Sequence, residues 1–134
     1  MNYLDQKKGF LGYDADPKIN NKVVIVPFGL EKSVSYGGGT KNGPAEIIKA
    51  SHQVELFDED LNKEPYKNIG IKTLKPFHIK KNLKAAINQL TEINEKIILK
   101  KKFPLVFGGE HSITPGSITP FTKRYKELTI LQFD

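Results

Sequence analysis

Phe103-Pro104-Leu105-Val106-Phe107-Gly108-Gly109-Glu110-His111-Ser112-Ile113-Thr114 decides the fold: an apolar run passes directly into two glycines, a carboxylate and an imidazole. So short and continuous a run reads as a strand buried on both faces, the kind that parallel sheets use. A second apolar run, Leu128 to Phe133, is expected to form the last strand, and Asp134 follows it. His111 and Asp134, 23 residues apart, then stand at the carboxyl ends of two successive strands, where open α/β sheets build their sites. Imidazole and carboxylate are also what a hard divalent metal takes as ligands. Read this way, the sequence stops in the middle of a metal site.

Working outward from that stretch, the elements alternate as they do in parallel α/β proteins. The strongest helix is expected from about Ile79 to Lys102. Its apolar positions Leu83, Ala86, Ile87, Leu90, Ile93 and Ile97 keep three- and four-residue spacing and form one stripe to face a sheet. Lys22-Val23-Val24-Ile25-Val26-Pro27 is a β-branched run ended by proline and reads as a buried strand. A glycine- and serine-rich loop follows from Phe28 to Asn42, and Gly43-Pro44-Ala45-Glu46 opens a helix with proline in its first turn. Val54 to Asp58 alternates like a strand, and Ile69 to Leu74 reads as another short one. Pro115-Gly116-Ser117 begins a helical or irregular segment weakened by Pro120. Residues 1–21 are polar, carry Gly9, Gly12 and Pro17, and read as an amino-terminal arm; residues 22–134 form one continuous α/β unit.

Composition bounds the function classes. The 134 residues suffice for one domain. Without cysteine there is neither a disulfide framework nor a thiolate metal site. No stretch has the length and apolarity of a membrane span or the apolar core of a signal peptide, so a cytoplasmic location and no membrane partner are expected. A net charge of +6 raises the question of nucleic acid. Of the 21 cationic residues only Arg124 is arginine, so the residue that reads bases and phosphates bidentately is nearly absent. The densest patch, Lys96 with Lys100-Lys101-Lys102, falls at a helix end, where cations favour the macrodipole. A solvated lysine surface, and no nucleic-acid partner, is the expectation.

Gly108-Gly109 after a strand lets the backbone turn sharply and approach another group closely. No third glycine makes a dinucleotide fingerprint, and neither this pair nor Gly37-Gly38-Gly39 makes a Walker loop, so no organic cofactor is expected. His52, at the end of the first helix, and His78, before the long one, read as structural. Glu31, Ser33 and Ser35 lie in a glycine-rich loop of the kind that rims sites, without an assigned role.

Phe107-Gly108-Gly109-Glu110-His111-Ser112-Ile113-Thr114, with Leu131-Gln132-Phe133-Asp134, resembles the signatures shared by arginases and agmatinases, the ureohydrolases. Val26-Pro27-Phe28-Gly29 and Gly43-Pro44-Ala45-Glu46-Ile47-Ile48-Lys49-Ala50-Ser51 are similar to the amino-terminal half of agmatinases, so the likeness runs from Lys22 onward. The resemblance implies an arginase-like three-layer α/β sandwich with a mostly parallel sheet, truncated here to roughly its first half. It also implies a binuclear Mn2+ centre, with His111 a ligand of one ion and Asp134 the carboxylate bridging the two. Many members carry Asp at the position of Glu110. The Ala-His-x-Asp that should follow Asp134 and a later Asp-x-Asp pair are absent, and no acid or base residue can be named.

The implied chemistry is hydrolysis of a small guanidino compound, most simply agmatine to putrescine and urea. Two manganese ions about 3.5–4 Å apart lower the pKa of a shared water, which attacks the delocalised guanidinium carbon. A homo-oligomer is expected. The 134 residues alone are expected to be inactive. The alternative is a catalytically dead, shortened member acting as a binding or assembly subunit.

Overall fold

The computed structural model describes residues 1–133. Its centre is a three-stranded parallel sheet in the order β2-β1-β3, built from Val23–Phe28 (β1), Ile71–Thr73 (β2) and Phe103–Gly108 (β3). β1 pairs along its whole length with β3, from Val23 opposite Phe103 to Phe28 opposite Gly108, and over three residues with β2. A central strand flanked on both sides must be apolar on both faces, and Val24, Ile25, Val26 and Phe28 are fully buried.

Gly43–Ala50 (α1) and Pro65–Ile69 (α2) lead from β1 to β2, Leu83–Leu99 (α3) leads from β2 to β3, and Thr114–Thr122 (α4) follows β3. α3 starts where the Asn82 side chain accepts from the Ala85 N–H, so the expected start at Ile79 moves in by four residues. It stops at Leu99 because Lys101 turns into the left-handed region (φ 57°), and Lys100-Lys101-Lys102 form the turn into β3 instead of the helix end. Ala86, Leu90 and Ile97 pack with Val24, Val26 and Phe28 to make the core. α4 crosses α3 closely: a Cβ on Gly116 would lie 2.9 Å from the Ile87 carbonyl oxygen. Pro120 has no N–H for the Gly116 carbonyl, and the Thr91 hydroxyl of α3 stands 3.4 Å from that oxygen.

The outer edge of β2 is closed by residues 1–21. Tyr3 bridges Leu74 in antiparallel sense, the Leu4 N–H donates to Thr73 O, and the Tyr13 hydroxyl both donates to Ile71 O and accepts from Ile71 N–H. This leaves no ladder for Val54 to Asp58, which forms no strand; Val54 and Phe57 are exposed and only Asp58 bridges Lys63. The expected last strand is also not formed. Leu128 to Phe133 has no ladder partner among the described residues, and Leu131 and Phe133 are 77% and 92% exposed. That run leaves the outer edge of β3 unpaired among the described residues. β3, expected to be buried on both faces, is therefore covered on one side only, with Phe103 and Leu105 exposed. Among the described residues no helix is long and apolar enough to cross a membrane.

Candidate functional site

The order β2-β1-β3 means that the chain leaves β1 towards one side and returns to β3 on the other. The crevice beyond the carboxyl ends of β1 and β3 is therefore the topological switch point of this sheet. Two segments meet there: the loop that begins Gly29-Leu30-Glu31-Lys32-Ser33 and the turn Gly109-Glu110-His111-Ser112.

They meet closely because of Gly109. The Glu110 N–H donates to Leu30 O at 3.0 Å, and a Cβ on Gly109 would lie 2.2 Å from that same oxygen. The Glu110 side chain, 9% exposed, then reaches into the loop. It accepts from the N–H groups of Lys32 and Ser33, both at 2.8 Å, from the Ser33 hydroxyl at 2.9 Å and from the Ser112 hydroxyl at 2.6 Å. Burial pushes this carboxyl up, but the hydrogen bonds from Ser112, Ser33 and Lys32 outweigh it and hold the pKa at about 2. A second carboxylate orders the rest of the loop. Glu31 accepts from the N–H groups of Lys41 and Gly39 and from the Thr40 hydroxyl, which keeps it below the usual carboxylate range.

His111 is exposed at the mouth of the crevice, on the turn that leads into α4. Asp134, the second expected metal ligand, lies outside the described residues. Among the described residues no three His, Cys, Asp or Glu side chains come together to hold a metal. His52 is structural in its geometry: its Nε2 lies 2.8 Å from Gly9 O and its ring packs against Gly12. His78 offers its carbonyl to the Gln89 amide. Ser33 and Glu31, left without roles by sequence reasoning, organise the rim. Their partners lie 8 to 77 residues away, so no local pattern in the sequence signals them.

A cavity of about 550 Å³ lies elsewhere and contains neither His111 nor Glu110. Lys7, Lys8, Lys41 and Lys49 line it and no carboxylate does, an environment that repels a guanidinium group.

A model of the arginase family matches residues 21–134, from just before β1 through the whole site. The chain belongs to the arginase family. It is 34% identical over 118 residues to N(1)-aminopropylagmatine ureohydrolase of Synechocystis, which covers 84% of this chain and 39% of that protein. Agmatinase of Bacillus cereus is 31% identical over 118 residues, again covering 39% of its length, and arginase of Bacillus subtilis is 31% identical over 102, covering 34%. The chain thus spans between about a third and two fifths of the length of these curated relatives. The crystal structure of agmatine ureohydrolase of Thermoplasma volcanium superposes with a TM-score of 0.65 at 24% identity, over 75% of this chain and 34% of that one. The fold is the arginase-like α/β fold.

Proposed function

We propose that these residues build the β1–β3 side of a manganese-dependent ureohydrolase that cleaves agmatine to putrescine and urea. The observation that carries the reading is His111, exposed on a hydrogen-bonded turn at the switch point of a sheet whose strands all lie within the match to the arginase family. In this reading His111 is a ligand of one manganese and Asp134 bridges two.

The donors present test how far that goes. An exposed imidazole at a strand end suits manganese in kind. Glu110, the nearest carboxylate in sequence, already has its oxygens occupied by hydrogen bonds. One imidazole does not make a metal site, so the described residues do not hold a binuclear centre by themselves, and no step is routed through one. When bound, manganese supplies a water acidic enough to act as nucleophile near neutral pH. The part of this chain is to hold the imidazole in place and to rim the crevice with the loop that Glu110 and Glu31 order.

Agmatine is preferred to arginine because Val26 to Gly29 and Gly43 to Ser51 resemble the amino-terminal half of agmatinases, and because the agmatine-related relative of Synechocystis is 34% identical against 29–31% for the arginases. The name of the Synechocystis relative makes N(1)-aminopropylagmatine the comparison substrate. The test is urea release from agmatine, N(1)-aminopropylagmatine, arginine and guanidinobutyrate by a protein carrying this sequence, with and without Mn2+. Urea formation that needs Mn2+ and disappears in His111→Ala is expected, with agmatine the best substrate; activity that survives His111→Ala refutes the ligand assignment. The 134 residues alone are expected to release no urea, and Mn2+-dependent release by them would overturn this account of the donors.

A further inference from the structure

We infer that Glu110 is a positioning residue and not a metal ligand: its carboxylate fastens the loop after β1 to the turn that carries His111, and so sets where the imidazole stands relative to that loop. The inference rests on the reading of His111 as a ligand.

An ionised carboxylate offers about four lone-pair sites. In Glu110 all are in use: Oε2 takes the Lys32 and Ser33 N–H groups, and Oε1 takes the Ser33 and Ser112 hydroxyls. A metal could bind only by displacing these donors, and the Lys32 and Ser33 N–H groups would then lose the acceptor that ties them to the turn. Orientation argues the same way. Glu110 is buried and His111, the next residue, is exposed, so one side chain anchors the turn while the other presents itself. The attachment is also double, since the Glu110 main chain holds Leu30 O while its side chain holds residues 32 and 33. Two separated points fix the direction of the loop as well as its distance. Ser112, hydrogen-bonded to the same carboxylate, brackets His111 from the other side.

A positioning role needs the shape of the side chain, whereas ligation needs its charge, and Glu110→Gln separates the two. Glutamine can accept both N–H groups on its carbonyl oxygen and donate its NH2 to the two hydroxyls. Glu110→Ala can do neither. The experiment compares wild type, Glu110→Gln and Glu110→Ala in an isotopically labelled protein that carries this sequence and shows Mn2+-dependent urea release. It reads amide hydrogen exchange at Lys32 and Ser33 against Val24 to Val26, and Mn2+-induced broadening of the His111 ring signals and of the loop amides. In Glu110→Ala, exchange at Lys32 and Ser33 should rise about ten- to a hundredfold, the worth of a lost charge-assisted bond, with β1 unchanged. Mn2+ should broaden the His111 ring and the Lys32 and Ser33 amides together in wild type and Glu110→Gln, but the ring alone in Glu110→Ala. Unchanged exchange in Glu110→Ala overturns the inference. So does loss of His111 broadening in Glu110→Gln with the loop still protected, because the carboxylate would then be a ligand. If Mn2+ broadens nothing at His111 in wild type, the ligand reading fails by itself, and the exchange rates still decide whether Glu110 holds the loop.

Discussion

Replacing Gly109 with alanine tests the construction of the site most directly. The added Cβ would stand 2.2 Å from the Leu30 carbonyl oxygen, and carbon–oxygen contacts below 3.0 Å essentially never occur. Both partners are backbone, so turn and loop must part by at least the difference, about 0.8 Å. The Glu110 N–H to Leu30 O bond, now 3.0 Å, would stretch to about 3.8 Å and cease to be a hydrogen bond. Its loss costs about 0.5–1.5 kcal/mol, and each charge-assisted bond from Lys32 or Ser33 to Glu110 that goes with it about 1.5–3 kcal/mol. With partial relaxation the total should fall near 2–4 kcal/mol, a large share of the roughly 5–15 kcal/mol that stabilises a domain. Gly43→Ala is the control, since its Cβ would meet the Gly108 carbonyl oxygen at 3.3 Å, a contact relieved by a few tenths of an ångström. Urea denaturation at constant m-value measures both. If Gly109→Ala lies within about 1 kcal/mol of wild type, or is no worse than Gly43→Ala, the close approach of loop and turn is not what holds the site together.

Asn94 is fully buried on α3 with both amide atoms unpaired among the described residues. Asn94→Ala should therefore be near neutral, because removing an unpaired amide recovers about 1–3 kcal/mol against the cavity it leaves, while Leu90→Ala beside it should cost about 2–5 kcal/mol. Equal losses in the two denaturation curves would mean that the Asn94 amide is hydrogen-bonded in solution. Glu110 and Glu31 both have folded-state pKa values below the ordinary carboxylate value. Their contribution is therefore fully present above about pH 4.5 and lost as the pH falls, for Glu110 towards about 2. Stability measured from pH 6 down to pH 2 should fall less steeply in Glu110→Gln and in Glu31→Gln than in wild type; a curve of unchanged slope in both variants would refute the link.

Much of this architecture could be read from residue order because it depends on local apolarity. The β-branched run at Val23 to Val26 and the stripe on α3 at Ala86, Leu90 and Ile97 bury the side chains that their spacing marks, whereas the run into Gly108-Gly109 forms its strand but leaves Phe103 and Leu105 exposed. Val54 to Asp58 and Leu128 to Phe133 have strand-like sequences and fail differently: the β2 edge is already taken by residues 1–21, whereas Leu128 to Phe133 leaves the outer edge of β3 unpaired. Around the candidate site, the sequence order already put His111 just past a strand and a glycine pair, and the structure has it there, exposed on the turn after β3. The roles of the carboxylates around it were not legible there. Glu110 and Glu31 act on backbone N–H groups 77–78 and 8–10 residues away, and any loop residue can offer an N–H.

The two edges of the sheet differ in a way that bears on the site. On the β2 side Asn2, Leu4 and Tyr13 take up the backbone groups of Ile71 to Lys75, so that edge is finished. On the β3 side no strand follows among the described residues, and Phe103 and Leu105, which a parallel sheet normally buries, are 55% and 40% exposed. The crevice holding His111 opens between β1 and β3, next to the unfinished edge. One imidazole needs further donors before it can hold a metal, and the side beyond β1 is filled by β2 and the segment that caps it. On the proposed reading of His111 as a metal ligand, any group that completes the ligand set must approach across the β3 edge, where it would also cover Phe103 and Leu105, so that covering that edge and completing the proposed site would be one event.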